Sequence, residues 1–172
     1  MFELFKPKLA STGPYVFQAE TDIAASAEDV FALVDFADPR NAERVRGATI
    51  ETVAGTGDCF IMRMPAMPDF RFHIEVLEAE APNHYAFAIV CDPPVGRMAR
   101  STEAYTIWNV PGGGCRLRLE NTVTFQDGLR LKHVQEEIGC MTIASHNSVA
   151  KLKLQAEQGV SAVHAVEDRI IV

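Results

Sequence analysis

Residues 127–159 read DGLRLKHVQEEIGCMTIASHNSVAKLKLQAEQG. Leu131, Val134, Ile138, Met141, Ser145, Val149, Leu152 and Ala156 recur in steps of three and four. Such steps set all eight on one face of a 3.6-residue helix. Asp127 is the expected N-cap and Gly159 the expected stop. Some 30 residues at 1.5 Å each make a rod of roughly 45 Å. A rod that long with one apolar side needs a wide partner to cover it.

The rest of the chain supplies a sheet. Tyr15–Ile23 alternates, with Gln18, Glu20 and Asp22 on the polar side, as a half-buried strand does. Ser26 with Asp29 three residues on forms a capping box for a short helix ending near Phe36. Asp38-Pro39 stops it, and 40–46 is a second short helical piece. Strands then follow at 48–53, 59–64, 70–79, 84–91, 98–110 and 115–125. Turn-formers separate them, among them Gly55-Thr56-Gly57-Asp58, Ala81-Pro82-Asn83 and Pro111-Gly112-Gly113-Gly114. Hairpin-length connections make an antiparallel meander. Strands and helices are segregated along the chain, so the class is α+β: about seven antiparallel strands closed by the long helix. The expected layout is an arm at 1–14, the domain at 15–159 and a tail at 160–172.

Composition narrows the partners. The chain has 172 residues, 48% hydrophobic and 23% charged, enough for one substantial core. A net charge of −7 argues against nucleic acid and against an anionic membrane surface. No window approaches the ~20 apolar residues of a membrane span. The opening MFELFKPKLASTGP has no signal-peptide core. A cytoplasmic location is therefore expected. Cys59, Cys91, Cys115 and Cys140 stand far apart, and are read as reduced and mostly buried. His133-x-x-Glu136-Glu137 lacks the second histidine of a zinc motif, so no metal is expected.

The order of elements resembles the START-like, Bet v 1-like superfamily (SRPBCC), which includes the polyketide cyclase/dehydrase families. The likeness rests on IAASAEDVFALV (23–34), on the hairpin YTIWNVPGGGCRLRL (105–119) and on the terminal helix, and covers about 15–158. It implies a helix-grip fold, a curved antiparallel sheet wrapped on a long C-terminal helix. It also implies a cavity between sheet and helix for an apolar or amphipathic small molecule, lipid or polyketide-like. No cofactor and no shared catalytic motif are implied.

On the simplest register Phe60, Met62, Met64, Phe70, Phe72, Ile74, Tyr85, Phe87, Tyr105, Ile107, Leu117 and Leu119 face inward, with Ile138, Met141 and Val149 from the helix. These residues either line a cavity or fill a core. Polar interruptions are the sharper candidates. Ser145 breaks the helix stripe beside Thr142 and Ser148. Asn121 falls among Leu117, Leu119, Val123 and Phe125. Glu103 shares a strand face with Tyr105 and Ile107. A carboxylate buried there takes a raised pKa and becomes a candidate general acid or base. Ser145 can instead bond back to a carbonyl one turn earlier. His146 is a candidate rim residue, and Gly139 marks either a bend or simple tolerance. The ligand is expected to meet the helix around Thr142, Ser145 and Ser148. Three functions stay open: a small-molecule binder, a cyclase or dehydratase in the same cavity, and a protein-interaction module. A second stripe, Ile143, Ala150 and Leu154, with tail residues Val163, Val166 and Ile170, suits either a packed terminal helix or a homodimer contact.

Overall fold

The computed structural model describes residues 8–170. In chain order the elements are β1 (Tyr15–Ile23), α1 (Ala27–Val34), α2 (Ala42–Val45), β2 (Thr49–Thr52), β3 (Cys59–Met64), β4 (Met67–Glu80), β5 (His84–Asp92), β6 (Met98–Asn109), β7 (Cys115–Phe125), α3 (Leu131–Gln158) and α4 (Val160–Ile170). The seven strands form one antiparallel sheet in the order β1-β7-β6-β5-β4-β3-β2. The meander accounts for β2 to β7. What local pattern does not reveal is that β1 closes against β7, Tyr15 opposite Val123 and Ile23 opposite Cys115. The chain must then cross from one edge of the sheet to the other between β1 and β2. Helices α1 and α2 make that crossing.

Each element has a local cause. Ser26 accepts from the Asp29 amide at 3.1 Å, which caps α1. The helix ends at Val34, earlier than its apolar run suggests. Asp35 turns extended there, and its carboxylate accepts from the Ala37 amide at 2.9 Å. Asn41 caps α2 by accepting from the Glu43 and Arg44 amides. Only Pro65 and Ala66 form the β3–β4 turn. Pro68 sits in the exposed start of β4, which is longer than expected. Strand β7 alternates as read: Leu117, Leu119, Asn121, Val123 and Phe125 are buried, while Arg118 and Glu120 are exposed.

Helix α3 runs 28 residues. It starts at Leu131 with Arg130 as N-cap, not at Asp127. The chain around 129–131 is occupied otherwise: Ala10 and Leu131 exchange backbone hydrogen bonds with Leu129 and Lys8, so it lies extended beside the arm. Leu131 is consequently exposed and the apolar stripe begins at Val134. Residues 8–12 of the arm thus cover that end of the fold; residues 1–7 of the expected arm lie outside the described residues. Gly159 ends α3 at φ +84°, and α4 folds back on α3 with Val163 buried. Residues 171–172 and the Ile170 side chain lie outside what is described. Ile143 and Ala150 of the second stripe are exposed. All four cysteines are free, Cys140 exposed and Cys91 and Cys115 buried.

The core divides in two. A large cluster spans α1, α2, all seven strands and the second half of α3. A smaller one joins Phe17, Val123, Phe125 and Val134, with Ile138 and Met141 against it. Asn121 and Ser145, both buried, lie between the two along their respective elements. No helix among the described residues is long and apolar enough to cross a membrane.

Candidate functional site

Helix α3 does not lie over the middle of the sheet. It packs chiefly on β1, with β7 and α1 beside it. That offset leaves the concave face of β3, β5 and β6 uncovered by the helix, and α1, α2 and their connector roof it. The space between is a cavity of about 570 Å³, within the range of small-molecule sites.

Its floor and walls are apolar. Met62 and Met64 come from β3, Phe87 and Ile89 from β5, Leu33, Val34 and Phe36 from α1 and its end, and Leu152 from α3. The aromatic side is ordered by contacts: Phe36 meets Phe87 edge-on at 4.9 Å, and Phe87 stacks on Tyr105 at 6.3 Å between centroids. Tyr85, on the same strand as Phe87, accepts the buried Phe36 amide at 3.1 Å through its hydroxyl. Burial raises the Tyr85 pKa well above the ordinary phenol value, so the hydroxyl stays neutral. Tyr85→Phe leaves the Phe36 N–H without a partner. The expected cost is about 1–3 kcal/mol, read as a lower urea midpoint with unchanged slope.

The polar part of the lining is grouped. Glu103 and Tyr105 stand two apart on β6 and so share a face. The Tyr105 hydroxyl donates to Glu103 Oε2 at 2.9 Å. Glu103 is half-buried and lines the cavity. Burial, the largest cause, raises its pKa; the nearby charge of Glu43 adds to this, and the Tyr105 hydrogen bond partly opposes it. The Tyr105 pKa is pushed well up by burial and by Glu103. Around the opening stand two ion pairs, Arg46 with Glu43 and Lys151 with Glu167. Arg46 also donates to Gln155 Oε1 at 3.3 Å. Asn147 and Ser148 of α3 complete this rim.

Six residues picked from the sequence meet here: Met62, Met64, Phe87, Glu103, Tyr105 and Ser148. Phe60, Phe72, Ile74, Ile107, Leu119 and Val149 are packed in the main core. Ile138 and Met141 pack in the smaller cluster, away from the cavity. Asn121 and Ser145 are buried outside the lining, and neither Asn121 Oδ1 nor Ser145 Oγ has a hydrogen-bond partner among the described residues. The back-bond considered for Ser145 is made instead by Thr142, to the Ile138 carbonyl at 2.8 Å. Thr142 and Gly139 are exposed, and an added Cβ at Gly139 meets nothing within 4 Å. His146 is exposed, bonds the Thr142 carbonyl and flanks a separate hollow between α3 and β1.

The helix meets the cavity through Ala144, Ser148, Lys151 and Leu152. Ala144, Ser148 and Lys151 run beside the stripe, and Leu152 belongs to it. The stripe itself is consumed by packing on β1 and β7, which is why its polar break at Ser145 misses the opening. Sequence reasoning also missed Phe36, Asn41, Glu43, Arg46 and Glu167. The 40–46 segment carried one usable signal, an isolated Arg-rich helical turn within a crossing connection.

The curved antiparallel sheet, the long C-terminal helix and the open-mouthed cavity beside them define a helix-grip protein of the START/Bet v 1 type. The chain belongs to the family described as polyketide cyclase/dehydrase and lipid transport, whose model matches residues 15–157. Among solved structures it is similar to Ara h 8.0201, at 13% identity, TM-score 0.59, covering 82% of this chain and 98% of that one. BexL, a di-domain ARO/CYC protein of the BE-7585A biosynthetic pathway, matches at 17% identity and TM-score 0.58, covering 83% of this chain and 50% of BexL. Mll3558 from Rhizobium loti matches at 19% identity and TM-score 0.53, covering 79% and 95%. At these identities the likeness is one of fold. A search of the curated proteins found no match.

Proposed function

We propose that this chain binds an apolar or amphipathic small molecule, lipid or polyketide-like, in the cavity bounded by its sheet, α1, α2 and one side of α3. The observation that carries the reading is the cavity itself, about 570 Å³ with an apolar floor and a polar rim. An unfilled space of that size costs stability in proportion to its volume, and a filled one returns that cost. The family supports the same reading, since its description joins lipid transport to polyketide cyclisation. A cavity of this size favours a small-molecule binder over the protein-interaction module.

Native mass spectrometry of protein from its own host should show a bound small molecule. A neutral naphthyl probe such as N-phenyl-1-naphthylamine should bind and be displaced by that molecule. Ala144→Trp tests the location. Ala144 is exposed at the opening, so an indole there obstructs entry without disturbing the core. Probe affinity is expected to fall at least about tenfold, with the thermal midpoint unchanged. Equal affinity in the variant places the probe elsewhere.

A second reading is favoured by one observation, the hydrogen-bonded Glu103 and Tyr105 inside the cavity. Two titratable groups converging in an enclosed space are what acid–base chemistry on a carbonyl or enol requires. The readings part on the fate of the ligand. A carrier releases what it captured, whereas a cyclase or dehydratase releases an altered compound in multiple turnovers.

A further inference from the structure

An apolar cavity alone does not orient its occupant. Orientation comes from a polar group that is not already satisfied by the protein. The cations of the rim do not qualify, because Arg46 and Lys151 each have a carboxylate partner. Glu103 does qualify. Its Oε2 accepts the Tyr105 hydroxyl, and Oε1 accepts no hydrogen bond among the described residues. Directly opposite on β7 is Asn121, 4% exposed, whose Oδ1 has no hydrogen-bond partner among the described residues. The wall behind Glu103 therefore presents another acceptor.

We propose that Glu103, positioned by Tyr105, is the anchoring group of the cavity, and that it selects a neutral carbonyl oxygen on an otherwise apolar molecule over a carboxylate. This rests on the small-molecule reading above. An enclosed carboxyl beside another carboxylate keeps its proton into a range where an ordinary glutamate is ionised. With the Tyr105 hydroxyl donating to one oxygen, the acid O–H donates from the other, and a bound ligand competes for it with Asn121 Oδ1. A ketone or ester oxygen accepts that bond. A carboxylate brings a second negative charge beside Glu43 and the Asn121 acceptor, with no uncommitted cation among the described lining residues to receive it.

The groups facing Glu103 are Tyr105 on its own strand, Glu43 and Arg46 from the α2 end, Lys151 from α3 and Glu167 from α4. Both carboxylates among them are paired with cations, and burial holds Tyr105 neutral. Among the described lining residues Glu103 is the carboxyl without a cation partner, and burial raises its pKa.

Calorimetric titration with three naphthalenes of matched shape separates the possibilities: 2-acetonaphthone, 2-isopropylnaphthalene and 2-naphthoate. At about pH 6, the ketone is expected to bind at least about tenfold more tightly than the hydrocarbon or the acid, one good hydrogen bond's worth. Glu103→Leu brings the ketone to the hydrocarbon's level. Glu103→Gln, whose amide still donates, keeps most of the preference. Raising the pH from about 5 to about 10 erodes the preference of the native protein but not of Glu103→Gln. Ketone and hydrocarbon binding within twofold overturns the anchor while the cavity reading stands. So does a preference that survives Glu103→Leu, a native preference that does not change with pH, or a Glu103→Gln profile that tracks the native one. Binding of none of the three probes overturns the cavity reading, and the anchor falls with it.

Discussion

Gly114→Ala is expected to destabilise the protein by roughly 3–5 kcal/mol, near the upper end for a single substitution. Gly114 closes the β6–β7 turn at φ +81°, a backbone state that costs an L-residue about 1–2 kcal/mol. The larger part comes from position. A Cβ there falls 2.4 Å from the Ile23 carbonyl oxygen and 3.3 Å from the Ala24 Cα. Both are backbone atoms at the end of β1, so no rotamer change relieves the overlap. Either the turn opens or β1 withdraws from β7, and the pairing of Ile23 with Cys115 is lost. Gly113→Ala is the control. It has φ +100° but no neighbour within 4 Å of its Cβ, so its cost is held to about 1–2 kcal/mol. Urea unfolding of the two variants decides the matter, and equal costs would show that the close approach at β1 is irrelevant.

Glu103→Gln is expected to stabilise the protein at alkaline pH by on the order of 2 kcal/mol, a rise in Tm of about 4–8 °C for a chain this size. The sign follows from linkage. The folded pKa of Glu103 lies above its ordinary 4.5, chiefly through burial. Below the ordinary value the carboxyl is protonated in both states and contributes no penalty. As pH rises the unfolded chain ionises first, and stability drains away until the folded pKa is passed. Glutamine has no such window. The two proteins should match in stability near pH 4 and diverge steadily above it. Asp22, Asp38, Glu157 and Glu167, whose pKa values are lowered by cationic partners, slope the other way. They do so in both proteins, so they cancel in the difference. A difference that is constant with pH removes Glu103 as its source.

These two residues also mark how far the sequence is legible. The triple glycine at 112–114 reads at once as a turn, because glycine supplies the positive φ such a turn demands. That Gly114 must also admit the backbone of β1 is invisible locally, since β1 lies about ninety residues earlier. Glu103 was identifiable as a polar residue on an apolar face of β6. Which face that was depended on register, and the register is set by pairing with β7, Glu103 opposite Asn121 and Tyr105 opposite Leu119. The helix shows the converse. Its apolar stripe was plain, yet the cavity meets α3 on the flank of the stripe at Ala144, Ser148 and Lys151. Apolar periodicity reports what is packed tightly, and a cavity lies where packing stops.

By itself the sequence determined what near neighbours decide: the 3.6-residue period of α3, the two-residue period of β4 and β7, the capping box at Ser26 and the turns between strands. Those signals were enough for the α+β class and for the family. Only the tertiary structure decided that β1 closes on β7, that α3 sits off-centre over that edge, and that α1 and α2 roof the space left open. From that offset come the cavity, the meeting of Glu103 and Tyr105 with Glu43 and Arg46, and the presence of Glu167 at the rim. Such meetings join residues tens of positions apart, and no local period carries them; they arise from how two extended surfaces settle on one another when their apolar faces are buried.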